Sequence, residues 1–156
     1  MAPGPSRTYL RLWLRLLAAT SEMERALRSR LRKEFETTLP RFDTMAALER
    51  APEGLSMSEL SRRLMVTNGN TTPMVVALER DGIVAREVCP TDRRSFTVWL
   101  TAKGQAMFVE MAAAHAKWVA ELLGGIADSD AEQLSRLLHD VRLEIERRTG
   151  YEEETT

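Results

Sequence analysis

Side chains suited to gripping an anionic polymer stand in two stretches of this 156-residue chain. The first offers Thr67, Asn68, Asn70, Thr72 and Arg80, with Pro73 and Val76 among them. An Asn amide can make paired hydrogen bonds to adenine, a Thr hydroxyl reaches a phosphate oxygen, and a proline ring can touch a thymine methyl. The second stretch is Asp92-Arg93-Arg94. Its two guanidinium groups suit a narrow minor groove, where negative potential is concentrated, and Asp92 is placed to orient one of them.

Catalytic chemistry has little to stand on. Ser56, Ser58 and Ser61 have no histidine nearby in sequence to activate them, and no glycine-rich loop could cradle a phosphate. The single cysteine, Cys89, excludes an internal disulfide framework and a multi-cysteine zinc site. His115 and His139 lie on separate predicted helices without a carboxylate or cysteine pattern to complete a metal site. The expectation is a non-enzymatic chain with no metal and no cofactor.

Composition narrows the class further. At 44% hydrophobic and 29% charged, the chain has an ordinary globular balance, which excludes disorder. Net charge is −1, but its distribution is uneven. Residues 7–36 carry eight basic and four acidic groups, whereas residues 128–156 carry four basic and nine acidic ones. Affinity for nucleic acid depends on phosphates neutralised locally, so a neutral total excludes nothing. Arg11 and Arg15 interrupt the apolar run Leu10–Ala19, which argues against a signal peptide. No stretch of about 20 apolar residues is long enough to span a membrane. A reducing cytoplasm is the expected compartment.

The elements that must position the two stretches follow from periodicity. Residues 1–6 read as a mobile tail. Leu10, Trp13, Leu14, Leu17, Leu27, Leu31 and Phe35 recur at helical spacing over Arg7–Phe35, while Leu12 and Leu16 mark a second apolar face. A helix with two apolar faces needs two burial partners, which favours a position between subunits. Pro40 breaks that helix and opens the next, Arg41–Arg50. Ser56 and Glu59 form a capping-box pair for a short helix, Met57–Leu64. Met65–Thr67 is the turn, and a second helix runs from Asn68 to Asp81, ended by Gly82. A hairpin follows, with strands Ile83–Cys89 and Ser95–Leu100 around a turn at Pro90–Arg94. Thr101 caps a helix Ala102–Leu123, and Asp128 or Ser129 caps a last helix to Arg148. There Leu134, Leu137, Leu138, Val141 and Ile145 make an apolar stripe. The tail Tyr151–Thr156 is acidic and frayed.

Two short helices joined by a three-residue turn, then a two-stranded hairpin, make a winged helix-turn-helix. Its second helix fits the major groove of B-DNA and its hairpin tip reaches the neighbouring minor groove. The spacing predicts that Leu60, Leu64, Val66, Val75, Leu78 and Ile83 pack this unit together. Thr67, Asn68, Asn70, Thr72, Pro73, Val76 and Arg80 are left to face outward.

Residues Gly54–Gly104 resemble the core of the MarR family of bacterial transcriptional regulators. Five motifs carry the likeness, in the family's order and spacing: ELSRRL (Glu59–Leu64), VTNGN (Val66–Asn70), LERDGIV (Leu78–Val84), DRR (Asp92–Arg94) and LTAKG (Leu100–Gly104). The resemblance implies a mainly α fold with a small β-hairpin wing. Residues 1–156 would form a single MarR-like domain, with 54–104 the DNA-binding core and 7–39 and 105–149 the dimerisation helices. It implies a homodimer on a palindromic operator, usually a repressor, with Arg93 and Arg94 in the minor groove and Asn68, Asn70 and Thr72 on the recognition helix. Pro73 departs from that pattern. It lacks an N–H and disfavours helical geometry at Thr72, so the regular helix either begins nearer Asn70 or has a distorted first turn.

Family members often release DNA when a small aromatic compound occupies a pocket between the dimer helices and the winged unit. Residues Leu10–Arg50 are similar to a branch associated with aromatic-acid catabolism, which implies an aromatic acid or aryl-CoA thioester as effector. Trp13, Phe42, Met45 and Trp118 would wall such a pocket, and Arg41 or His115 would meet an anionic group. The plainer reading makes Trp13 and Trp118 interface core and Arg41 a solvated charge. Redox-sensing members place a reactive cysteine in the first helix, which has none here, so Cys89 reads as an inert strand residue. A protein–protein adaptor built on the same fold is the rival reading. An adaptor would not need Arg93, Arg94 and a polar helix face.

Overall fold

The structure, a computed structural model, describes residues 7–64 and 68–150, and the side chains of all of these except Asn68 and Gly69. The two expected tails, the turn at Met65–Thr67 and the candidates Val66 and Thr67 lie outside the described residues.

Helix α1 covers Arg7–Phe35, and only Leu27 and Leu31 on it are buried. Its N-terminal half leaves Leu10, Leu12, Trp13, Leu14 and Leu17 exposed in the single chain. The helix ends at Glu36, whose φ of 51° turns the chain out of helical geometry four residues before Pro40. Pro40 therefore does not break α1, but it does open the next helix as expected. Helix α2 begins at Leu39, two residues earlier than the sequence suggests, with Thr38 as N-cap and Pro40 in the first turn. An N–H in that turn has no intrahelical partner, so proline loses nothing there.

A short strand β1, Leu55–Ser56, precedes helix α3, Met57–Arg63. The expected capping box is present: Ser56 Oγ accepts from Glu59 N–H, and Glu59 Oε2 accepts from Ser56 N–H at 2.7 Å. Helix α4 spans Asn68–Arg80 with Pro73 inside it. The helix does not start late: its first residue is Asn68, and a proline this near the N-terminus removes only a single ladder bond.

Strands β2, Val84–Cys89, and β3, Asp92–Leu100, form the wing. The sheet has three strands in the order β1-β3-β2, all antiparallel, and so exceeds the expected hairpin. Two residues are too few to show a periodicity, which is why β1 is invisible in sequence. It pairs Leu55 with Val98 and Ser56 with Thr97. Gly54 leads into it at φ +87°, and a Cβ there would lie 2.7 Å from Thr97 Cγ2. That position belongs to glycine on both counts.

The helix-turn-helix core sits under the sheet. Leu60, Val75, Leu78, Ile83, Val84 and Val98 are buried together with Leu55, while Leu64 is half-buried. Helix α5, Ala102–Leu123, starts beside it, capped by Thr101, whose Oγ1 accepts from Gly104 N–H at 3.0 Å.

Two compact units divide the chain, Met1–Trp118 and Val119–Thr156, with the boundary inside α5. The second unit holds helix α6, Asp128–Thr149, on which no residue is buried. Leu134, Leu137, Leu138 and Ile145 of the expected stripe are exposed. Its N-cap is Ala127 with no side-chain cap bond, not Asp128 or Ser129. Asp128 and Asp130 lie inside the first turn, where their charge complements the helix dipole. No helix among the described residues is long and apolar enough to cross a membrane.

Candidate nucleic-acid interface

The outer face of α4 is built by subtraction. Thr71, Val75 and Leu78 recur at helical spacing and are buried, which turns Asn70, Thr72, Pro73, Val76 and Arg80 toward solvent. Asn68 lies in the first turn of the same helix. The buried side is anchored by a hydrogen bond from Ser61 Oγ to Thr71 Oγ1 at 2.7 Å, which locks α3 against α4.

The wing arginines stand where the strand register slips. Val88 pairs with Phe96, yet the next residue, Cys89, pairs with Asp92, so Arg93, Arg94 and Ser95 bulge out unmatched. The sequence places Asp92–Arg94 in a turn. In the structure they are strand residues, and the connection is only Pro90–Thr91. Asp92 Oδ1 accepts from the Arg94 N–H at 3.0 Å, so it shapes the backbone of the bulge and not, by this bond, a guanidinium. Both arginines are exposed. A bulge adds local twist and re-aims side chains, which is how two adjacent residues come to project from a ladder.

Arg62 and Arg63, in the last turn of α3, are exposed too. Sequence reasoning did not single them out. The paired basic residues at the end of the first helix, the element that crosses a DNA backbone in this architecture, were the available signal. At the tip of the wing, Cys89 Sγ lies 3.2 Å from Thr91 Oγ1, and that hydrogen bond holds the thiol below its ordinary pKa.

Geometry of this kind has solved counterparts. A model of the MarR family matches residues 37–96. A MarR family transcriptional regulator from Silicibacter pomeroyi is 35% identical, with 89% of this chain and 96% of that one aligned at a TM-score of 0.77. This chain belongs to the MarR family. Two lower-identity structures share the fold. AbsC, a MarR family regulator from Streptomyces coelicolor, is 20% identical over 92% of this chain and 98% of its own, at a TM-score of 0.78. Sco3205 from the same organism, solved in complex with DNA, is 21% identical over 91% and 90%, at 0.78.

The six ligand candidates of this MarR-family chain do not converge within one protomer. Phe42 and Met45 are buried on α2, and Phe42 stacks on His115 at 4.7 Å and on Phe108 at 5.6 Å. Trp118 is buried edge-on against Phe35 at 6.1 Å. Trp13 is exposed, and 22 residues of α1 separate it from Phe35, roughly 33 Å along the axis. It cannot wall a pocket with Trp118 of its own chain. Arg41 is no solvated charge: its Nη2 donates to Asp81 Oδ2 at 2.6 Å. A groove along α1, lined by Ser21, Arg25, Arg28, Ser29, Arg32 and Lys33, contains none of the six.

Proposed function

We propose that this chain is a homodimeric transcriptional regulator that binds a palindromic operator in duplex DNA and represses the adjacent genes. The observation that carries the reading is the pairing of an outward polar face on α4, Asn70 to Arg80, with the bulged Arg93 and Arg94 on the wing. Each subunit would lay α4 in a major groove and grip the flanking minor groove with its wing. The DNA complex of Sco3205, which has the same fold, supports that docking. Asn70, Thr72, Pro73, Val76 and Arg80 would then face base edges and phosphates, and Thr67 and Asn68 join them as candidates on sequence grounds alone.

Dimerisation is supported by the apolar residues that a single chain leaves bare, Leu10 to Leu17 on α1 and Leu134 to Ile145 on α6. Residues 7–39 and 105–149 would pair the copies, and the whole chain would act as one cytoplasmic module. The effector half of the reading is a small aromatic acid or aryl-CoA thioester acting near the Phe42–His115 stack. It rests on the likeness of Leu10–Arg50 to an aromatic-acid branch of the family. Half-sites lie about one helical turn apart, on the order of 34 Å, so a small change in the separation of the two α4 helices would release DNA.

The test is a titration against duplex DNA from upstream of the protein's own gene. It is run at two salt concentrations, with and without aromatic acids and their thioesters. Tight, salt-sensitive binding as a dimer, weakened by one of these compounds, is expected. A stable monomer, or indifference to every duplex at low ionic strength, would leave the adaptor reading in its place.

A further inference from the structure

The C-terminal end of α4 is tied to three other elements by charged groups. Arg41 on α2 donates to Asp81 Oδ2 at 2.6 Å across 40 residues of sequence, and both partners are partly buried. Lys103 on α5 donates from Nζ to the Asp81 carbonyl at 2.8 Å. Glu79 takes Arg86 of β2 at 2.8 Å, and the Arg86 guanidinium lies over the Phe96 ring at 4.8 Å. Arg80, beside them, points outward and is exposed.

Of these ties, only the Arg41–Asp81 pair reaches α2. That helix is rigidly seated, since Phe42, Met45 and Leu48 are all buried. The pair therefore references the recognition helix to the body of the fold and not to the wing. Arg41 also holds the Asp81 carboxyl below the ordinary carboxylate range, with Arg80 adding to the same effect. Geometry makes the tie consequential. Over the 13 residues of α4, roughly 20 Å, a tilt of about 5° moves the far end by about 1.7 Å. Hydrogen bonds to base edges tolerate a few tenths of an ångström.

We infer that Arg41 and Asp81 are positioning residues for DNA recognition: their ion pair sets the angle at which α4 is presented, although neither need touch the duplex. This rests on the DNA-binding reading and deepens it, since it makes α2 a control point for operator affinity.

The decisive variant is Asp81→Asn, because two mechanisms predict opposite signs. Removing a negative charge near DNA strengthens binding if electrostatics alone operates. If the ion pair positions α4, operator affinity falls, by about 3- to 30-fold. Full-length protein would be titrated by fluorescence anisotropy against the upstream duplex and an unrelated duplex of equal length. Arg41→Gln should weaken operator binding to the same degree, and the double variant should be no worse than either single. Arg41→Lys should restore part of the loss. Binding to the unrelated duplex should hold, and the salt slope should stay put, whereas a lost phosphate contact would lower it by about 0.9. Amide hydrogen exchange of α4 in DNA-free Arg41→Gln should accelerate, which reads the tie without any ligand.

Unchanged or tighter operator binding by Asp81→Asn overturns the inference, as does additivity of the two substitutions. A wild-type protein that binds neither duplex would instead sink the underlying DNA-binding reading. Unaltered exchange in α4 would then dispose of the tie separately.

Discussion

Ser61 Oγ donates to Thr71 Oγ1 at 2.7 Å in the seam between α3 and α4, with both residues buried. Nothing else on α3 but Leu60 is so deeply placed, so this hydroxyl pair and Leu60 together hold α3 against the core. Ser61→Ala would leave a buried hydroxyl at Thr71 short of one partner, at a cost of about 1–2 kcal/mol. Chemical denaturation should show a lower midpoint with an unchanged slope. A variant as stable as wild type would mean that Thr71 finds equal satisfaction elsewhere.

Glycines near the end of α4 should respond very differently to alanine. A Cβ on Gly104 would stand 2.0 Å from the Ile83 carbonyl oxygen, a backbone atom that cannot swing away. Gly104→Ala should therefore destabilise by about 3 kcal/mol or more and move the first turn of α5. Gly82, at φ +72°, has only the flexible end of Lys103 within reach. Gly82→Ala carries backbone strain alone, about 1–2 kcal/mol. Thermal unfolding of the two variants side by side would reverse the proposal if Gly82→Ala proved the worse.

The capping box makes α3 acid-sensitive in a defined window. Hydrogen bonds from the Ser56 hydroxyl side and its backbone N–H hold Glu59 below its ordinary value of 4.5. A carboxyl with a depressed folded pKa contributes stability above its unfolded value, and that contribution is lost as pH falls through the folded one. The capping contribution should thus be intact at neutral pH and decline below about pH 4.5. Ser56→Ala should cost about 1 kcal/mol at pH 7 and less in acid. Equal losses at pH 7 and pH 3 would contradict this.

On the wing, Arg94→Ala should weaken operator binding by about 1–3 kcal/mol and lower the salt slope by about one, with no change in thermal stability. Arg93→Ala should do the same. Exposure of both side chains is the reason stability is untouched. If neither substitution alters affinity, the wing has no part in docking.

Much of this architecture is legible in residue order because it rests on local rules. The apolar period of Leu27, Leu31 and Phe35, the Ser56–Glu59 cap, Gly82 after α4 and Thr101 before α5 each act within a few residues. The candidate interface was legible for the same reason: burying Val75 and Leu78 leaves Asn70, Thr72 and Val76 outside by helical geometry alone. The motif order over Gly54–Gly104 then pointed to the family.

Other features depend on contacts between distant segments. Strand β1 exists because Val98 and Thr97 offer it a ladder, not because Leu55–Ser56 has any strand signature. The bulge at Arg93–Ser95 follows from how β2 and β3 register. Arg41, read in sequence as an effector contact or a solvated charge, and Asp81 stand 40 positions apart with nothing to join them until the fold forms their ion pair. The same holds for the separation of Trp13 from Trp118. Helical periodicity and caps are encoded by neighbours in the chain, so composition and spacing determine them. Strand register, ion pairing and pocket walls depend on which surfaces are brought face to face, and only folding in three dimensions decides that.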